Sequence, residues 1–282
     1  MYLGATSRIT AAGESNPIVE PGRPRAAAAL VLALLILSSC HRARSDADLQ
    51  RTFDAANLAF RRGELTEAQA LSERGIASAQ PQGDSVWSWR FRLLRGDILI
   101  SERNLGEVRS LIHAAVPAGA SFDSLRAQQS LLDARLMIAE RRLDDALSLA
   151  KRVGEIAPQD RQLRFYAAMH VGQILFQKGR WDEGESLLAG TARAASEAGD
   201  RYYEAFALQQ LGMGQFVRNR FDQALALFER VLAFSDLSEM TIYAKALNNA
   251  GMCYSRLGMF ERAVDVQRRA VALQAKYPRS SD

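Results

Sequence analysis

The sequence predicts an all-α protein in which helix pairs stack into an α-solenoid of about six units. Three observations carry this prediction. One pattern of small and apolar residues recurs six times at steps of 38–40 residues, and such a period is typical of repeat architectures. Each copy holds two amphipathic stretches with helical spacing. The composition, 48% apolar and 24% charged, is that of a folded chain.

The six copies align on a small residue (valine in the second copy) near the start of the second helix of each unit. An apolar residue lies three positions before it, and another small residue lies twelve positions before it in the first helix. Small residues let paired helices approach closely, and each pair buries its faces only by stacking on its neighbours. The anchors are Ala68, Val108, Ala146, Gly184, Ala224 and Ala263, the apolar residues are Leu65, Leu105, Leu143, Trp181, Phe221 and Phe260, and the earlier small residues are Ala56, Gly96, Ala134, Gly172, Gly212 and Gly251.

A few polar residues join the two helices of each unit. Glycine ends the first helix at Gly63, Gly179 and Gly258, as is common at helix ends. In the second and third units, where the pattern is weakest, Arg103 and Arg141 replace that glycine. The sequence therefore predicts six helix-turn-helix units of unequal regularity.

These copies resemble the tetratricopeptide repeat (TPR) in its small-x-x-aromatic, Gly-x-aromatic-x-x-Ala form. The clearest are ILFQKGRWDEGESLL, GQFVRNRFDQALALF and MCYSRLGMFERAVDV. The resemblance covers residues 47–278 and implies a right-handed superhelix. Its step exceeds the usual repeat of about 34 residues, which predicts longer helices or linkers.

In the TPR family, the inner face of each first helix lines a concave channel that receives peptide segments. The resemblance therefore implies a partner-binding groove, and aromatic, methionine and amide side chains suit an apolar peptide or helix laid in it. The implied groove residues are Phe53, Asn57, Arg90, Arg135, Tyr166, Met169, Gln173, Phe176, Phe206, Gln209, Met213, Phe216, Lys245, Asn248 and Met252, with Gln50, Phe60, Leu93, Asp97, Gln128 and Leu131 at equivalent positions.

The alternative for many of these residues is ordinary core between helices, above all for Phe60, Leu93 and Leu131. The carboxylate clamp of two lysines and two asparagines, which chaperone-binding members use, has counterparts here only in Lys245 and in Asn248 or Asn249. Capture of an acidic chain terminus by such a clamp is therefore not predicted.

No catalytic or metal-binding pattern stands out in the chain. His41, His113 and His170 are far apart in sequence, and acidic pairs such as Asp144 and Asp145 stand where they favour the positive end of a helix dipole. The formal charge is +4, and the arginines are spread without a long basic run. We therefore expect a protein that is not an enzyme and that uses no cofactor, metal, nucleic acid or small-molecule substrate.

The N-terminal stretch ALVLALLILSSC, residues 29–40, is too short to span a bilayer, which takes about 20 apolar residues. Its end, Leu37-Ser-Ser-Cys40, is similar to a bacterial lipobox, in which the cysteine is lipidated and becomes the new amino terminus. This resemblance implies a signal peptide over 1–39, lipidation at Cys40, a tether over 40–46, the solenoid over 47–278 and a tail over 279–282. An uncleaved anchor and a core helix are the alternatives.

These patterns predict a lipid-anchored scaffold in the cell envelope, facing the periplasm or exterior, which binds a partner protein or peptide. A cytoplasmic location is the alternative. The apolar last helix, with Phe260, Val264 and Val271, predicts either self-association or cover by a longer chain. In the latter case the array is the sensing part of a larger protein, such as a CHAT-domain protease.

Overall fold

The computed structural model describes residues 46–276 apart from 81, 82 and 84, and these residues form twelve α-helices and no β-strand. Consecutive helices pack against each other, and the first helices of neighbouring pairs also meet. The prediction of an all-α solenoid of six helix pairs is confirmed. The helices are α1 (46–62), α2 (Leu65–Ala79), α3 (Val86–Ser101), α4 (Leu105–Ile112), α5 (Asp123–Ala139), α6 (Leu143–Ile156), α7 (Arg161–Gln177), α8 (Trp181–Glu197), α9 (Arg201–Val217), α10 (Phe221–Leu232), α11 (Thr241–Arg256) and α12 (Phe260–Lys276).

The helix pairs belong to one compact unit that begins at Ala47. The preceding unit, Met1–Asp46, lies outside the described residues except for its last residue. The predicted signal peptide, lipobox and tether therefore lie outside the described residues as well, apart from residue 46.

The small residues of the repeat pattern are buried where paired helices cross. A Cβ atom added to Gly172 would lie 2.5 Å from Cγ of Leu188, and one added to Gly212 would lie 2.5 Å from Cε1 of Phe228. Real Cβ atoms essentially never approach so closely, so a larger residue at either position would push the paired helices apart. Each second helix begins at the apolar residue that precedes its anchor by three positions.

The first helix of each of the six pairs ends in the same left-handed turn. The residue in that turn has a φ of +84° at Gly63, +63° at Arg103, +66° at Arg141 and +59° at Asn219. The residue after it donates its N–H to the carbonyl five positions earlier, as Asn104 does to Leu99 at 2.9 Å. This is the Schellman arrangement, which favours glycine because other residues are strained there.

Two connections depart from the short turns of the other repeats. Helix α4 is short, and the loop after it is held by the Gln129 amide, which donates to the carbonyls of Ile112 (3.2 Å) and Ala114 (2.7 Å) and accepts from the N–H of Val116 (3.1 Å). The connector between α10 and α11, residues 233–240, is longer than the links 157–160 and 198–200. It contains a 3₁₀ turn at Ser235–Leu237 and brings the start of α11 to the first repeat.

Candidate functional site: a closed channel

The first helices of all six pairs surround a cavity of about 750 Å³ on the inner face of the solenoid. Its lining shifts along the helices from one repeat to the next. In α1 it comes from the carboxyl-terminal half, in α5 from the middle, and in α9 and α11 from the first two turns. Prominent lining residues are Phe53, Asn57, Leu94, Asp97, Gln128, Arg135, Tyr166, Tyr202, Tyr203, Phe206, Thr241 and Lys245.

The first and sixth repeats meet where residues 61–63 contact residues 239–241, and we call this group of contacts the seam. The Arg62 guanidinium pairs with the Glu239 carboxylate at 2.8 Å, and the Thr241 hydroxyl donates to the Arg61 carbonyl at 3.0 Å. A Cβ atom on Gly63, whose φ is +84°, would lie 2.7 Å from Cγ2 of Thr241. These contacts join residues 177–180 positions apart, so the seam closes the circumference of the channel.

An ion pair between Asp97 on α3 and Arg135 on α5 lies in the channel wall. Both side chains are only 12% exposed. Burial raises the pKa of Asp97, and the guanidinium of Arg135 offsets part of that rise. The pair joins the second repeat to the third, and a buried pair of this kind tolerates the loss of one partner poorly.

Aromatic side chains from α7 and α9 continue the channel wall beside this pair, and the Arg135 guanidinium lies 5.7 Å from the centre of the Tyr166 ring. The rings of Tyr166 and Phe206 lie 6.3 Å apart, and the Arg61 guanidinium lies 4.2 Å from the centre of the Tyr202 ring. The His170 ring packs edge-on against Tyr166 at 4.8 Å. Burial, with the nearby charge of Arg135, lowers the pKa of His170 to about 3, so this imidazole is neutral at physiological pH.

Several channel groups have hydrogen-bonding capacity that the described part of the chain does not use. The amides of Asn57 and Gln128 and the hydroxyls of Tyr166, Tyr202 and Tyr203 line the channel, and they make no hydrogen bond among the described residues. Amides both donate and accept, and phenols do the same. The wall thus combines aromatic surface with donors and acceptors that a ligand can use.

Of the fifteen principal groove residues, six line this channel and nine lie elsewhere, and Phe60, Asp97 and Gln128 from the equivalent positions line it as well. Those in the lining are Phe53, Asn57, Arg135, Tyr166, Phe206 and Lys245. Those outside it are Arg90, Met169, Gln173, Phe176, Gln209, Met213, Phe216, Asn248 and Met252.

Met169 and Phe176 lie in the core, so their predicted place in the groove is wrong. Met169 has no exposed surface, and Phe176 stacks on Trp181 at 5.5 Å and packs where Cβ atoms on Gly184 and Gly214 would lie. Gln209 is likewise buried, with 7% exposure. The Arg90 guanidinium lies 4.6 Å from the centre of the Trp87 ring instead of in the channel.

The drift of the lining along the helices explains these differences. The repeat register assigns the same inner-face positions to every unit, whereas the superhelix brings successively earlier turns of each first helix to the axis. Met213, Phe216 and Met252, in the later turns of α9 and α11, therefore fall outside. The same drift brings in Tyr202 and Thr241, which lie one helical turn before the positions that the register assigned to the groove.

Among the described residues, no group of histidine, cysteine, aspartate and glutamate side chains is placed to hold a metal ion. Within the same residues, no helix is both long enough and apolar enough to cross a bilayer. What the described structure offers is a cavity with a mixed polar and aromatic wall.

Comparison with known proteins supports the same architecture. Residues 164–236, from α7 to the connector after α10, match the tetratricopeptide repeat family. With the six helix pairs, this match defines the fold as an all-α TPR solenoid. No curated protein sequence matches the chain.

Solved structures of low sequence identity share this fold. BtubC (BKLC) from P. vanneervenii is 18% identical, with a TM-score of 0.52 over 77% of this chain and 94% of its own. A STAND protein with a TPR sensor from Pyrococcus horikoshii is 12% identical, with a TM-score of 0.59 over 76% of this chain and 32% of its own. A Rap protein in complex with competence and sporulation factor is 11% identical, with a TM-score of 0.58 over 82% of this chain and 78% of its own.

Proposed function

We propose that this protein binds a peptide, or a peptide segment of a partner protein, inside the channel and acts as an interaction scaffold without a covalent step. The observation that carries the proposal is the set of channel amides and phenols that make no hydrogen bond among the described residues, set among aromatic rings. A peptide main chain presents one donor and one acceptor at almost every residue, and its side chains would pack on those rings. A cavity of about 750 Å³ is also of ligand size, since such pockets span about 300–1,000 Å³.

The Rap structure supports this use of the fold. That protein was solved in complex with competence and sporulation factor, so a helical array of similar architecture holds a partner. The identity of 11% carries no inference about which partner this chain takes. The chemistry of the channel wall instead favours a peptide with apolar or aromatic side chains.

Selection from a random hexapeptide library, followed by calorimetric titration of the selected peptide, tests the proposal. We expect Tyr166→Ala/Phe206→Ala to weaken binding at least 30-fold, because the variant removes two facing rings of the channel. Val217→Ala is the matched control, since Val217 is an exposed apolar residue outside the channel. Failure to select any binder, or equal affinity for both variants, would contradict channel binding.

We also propose that the scaffold is tethered to a membrane through lipid on Cys40. The support is the sequence Leu37-Ser-Ser-Cys40 after an apolar stretch. Several acyl chains hold a protein stably, at about 0.8 kcal/mol per buried methylene. Labelling with radioactive palmitate should mark the wild type and a Cys253→Ser control, but not Cys40→Ser. An unlabelled wild type would rule out the anchor.

The STAND similarity favours a second candidate, in which the array is the sensing part of a larger protein such as a CHAT-domain protease. This chain matches 32% of that protein, whose TPR is described as its sensor. The channel would be the sensing site in that case too. A reading frame that continues beyond residue 282 into a further domain would favour this candidate, and a stop codon there would remove it.

We propose further that α12 contacts a second copy of the chain. Phe260, Val264 and Val271 are 64%, 46% and 64% exposed and lie along one stripe of the helix. An antiparallel pairing about a two-fold axis would stack Val264 of one copy on Val271 of the other and bury this stripe.

Sedimentation velocity tests this contact. Val264→Glu/Val271→Glu should sediment as a monomer, while Val217→Glu, with 58% exposure off the stripe, should behave as the wild type. A monomeric wild type at all concentrations would exclude the second copy.

A further inference from the structure

The seam makes the channel topologically different from an open groove. The first helices of all six pairs contribute to its lining, and the contacts of Arg62 with Glu239 and of Thr241 with the Arg61 carbonyl join the two ends of the array. A peptide can enter an open groove from the side, at any point along its length. A channel with a closed circumference admits a chain only lengthwise, through one of its ends.

We infer that the seam makes this protein selective for free chain ends, meaning short free peptides or terminal segments, over internal segments of folded proteins. The inference rests on the proposed peptide binding and deepens it. An internal segment has a folded region on both sides, and neither region can pass through a cavity of about 750 Å³. Such a segment can enter only when the seam parts.

The seam contacts favour a closed but separable state. Close packing of Thr241 on Gly63, where an added Cβ would lie 2.7 Å from Cγ2, leaves no room for a chain to pass between the repeats. The Arg62–Glu239 pair is partly exposed, at 32% and 52%, and pairs of this kind contribute little to stability. The closed seam therefore excludes internal segments, and its contacts are weak enough to separate.

The test presents one library-selected hexapeptide in three forms. The first is the free peptide, the second has a small folded carrier at one end, and the third has a carrier at each end. Flexible Gly/Ser spacers separate peptide and carriers, so that the bulk of a carrier does not itself prevent entry. With the wild type, we expect the first two forms to bind within threefold of each other and the third at least 30-fold more weakly.

The matched control compares two forms of one variant, in which the seam is either crosslinked or left free to separate. In an Arg62→Cys/Glu239→Cys variant on a Cys40→Ser background, a short bismaleimide reagent joins the two new cysteines, and N-ethylmaleimide caps them separately. We expect the capped protein to bind the doubly flanked peptide at least tenfold more tightly than the crosslinked protein does. Both forms should bind the free peptide within threefold of each other.

The two proposals fail in different ways. If the wild type and the crosslinked variant bind the doubly flanked peptide as tightly as the free peptide, selection for chain ends is overturned while peptide binding stands. If no free peptide binds the wild type, the proposed function itself fails.

Discussion

Two ion pairs border the same channel, and they differ in almost everything except their chemistry. Asp97 and Arg135 join neighbouring repeats, and each is 12% exposed. Arg62 and Glu239 join the two ends of the array, and they are 32% and 52% exposed. The wall of the channel therefore contains a buried pair that is costly to break. The closure of the channel instead depends on a partly exposed pair that contributes little to stability.

The largest expected effect comes from breaking the buried pair. Asp97→Ala should lower the free energy of unfolding by about 2–4 kcal/mol, because it leaves the Arg135 charge buried without its partner. Glu239→Ala should lower it by less than about 1 kcal/mol. Urea denaturation measures both, and equal losses would contradict the contrast. Asp97→Ala/Arg135→Met should recover much of the loss, since it removes the stranded charge.

A lone carboxylate on the same helix as Arg135 extends the comparison. Asp133 makes no hydrogen bond or ion pair among the described residues, and burial raises its pKa to about 6. An unfolded aspartate has a pKa of about 3.9, so between these values the native state holds the proton more tightly. The contribution of Asp133 to stability therefore falls as the pH rises from about 4 to about 6, and remains low above that.

Asp133→Asn should consequently be more stable than the wild type at pH 7, by about 1 kcal/mol after allowance for its partial exposure. The two proteins should converge towards pH 4. Urea denaturation at several pH values checks this. A constant difference across the range would mean that the carboxylate does not titrate as its burial requires.

Smaller effects are expected at the left-handed turns. Arg103→Gly and Arg141→Gly should each raise the free energy of unfolding by about 0.5–1 kcal/mol, because glycine adopts a positive φ without strain. Asn219→Gly should gain less, since asparagine tolerates this conformation better. Thermal denaturation of the three variants gives the ranking, and destabilisation by Arg103→Gly would show that the side chain has a role of its own.

The smallest effect is expected from Glu239→Gln, which keeps the shape of the seam side chain. The free energy of unfolding should change by less than about 0.5 kcal/mol at low salt, and the change should vanish in about 1 M salt because exposed charges are screened. Urea denaturation at the two salt concentrations measures it. A larger effect that persists in about 1 M salt would show that the Arg62–Glu239 pair contributes to stability as the buried pair of Asp97 and Arg135 does.

The repeat units could be predicted from the sequence because their determinants are local. A small residue such as Ala146 and the apolar Leu143 act within one helix pair, and five further copies reinforce the same register. The prediction extended to Arg103 and Arg141 as replacements for the turn glycine, and both adopt the glycine conformation.

The channel was harder to predict because its lining depends on how small rotations between repeats add up. Asn57 and Tyr166 line it as the register implies, but Met169 lies in the core and Tyr202 enters from one turn before the assigned positions. No local signal encodes the contact of Thr241 with the Arg61 carbonyl, which joins positions 180 apart. Contacts of this kind depend on the length and twist of the whole array.

The connector 233–240 gives the protein an adjustable surface element, which Leu237 anchors in the core. It supplies Glu239 and leads into Thr241, so a change in its length would shift the residues that close the seam. Surface loops tolerate insertions and deletions far better than packed helices do, and lengthening one costs little in closure entropy. We therefore expect proteins with the same six helix pairs but a different connector to differ in whether they bind internal segments as well as chain ends. Changing this one loop is accordingly a route to altered selectivity.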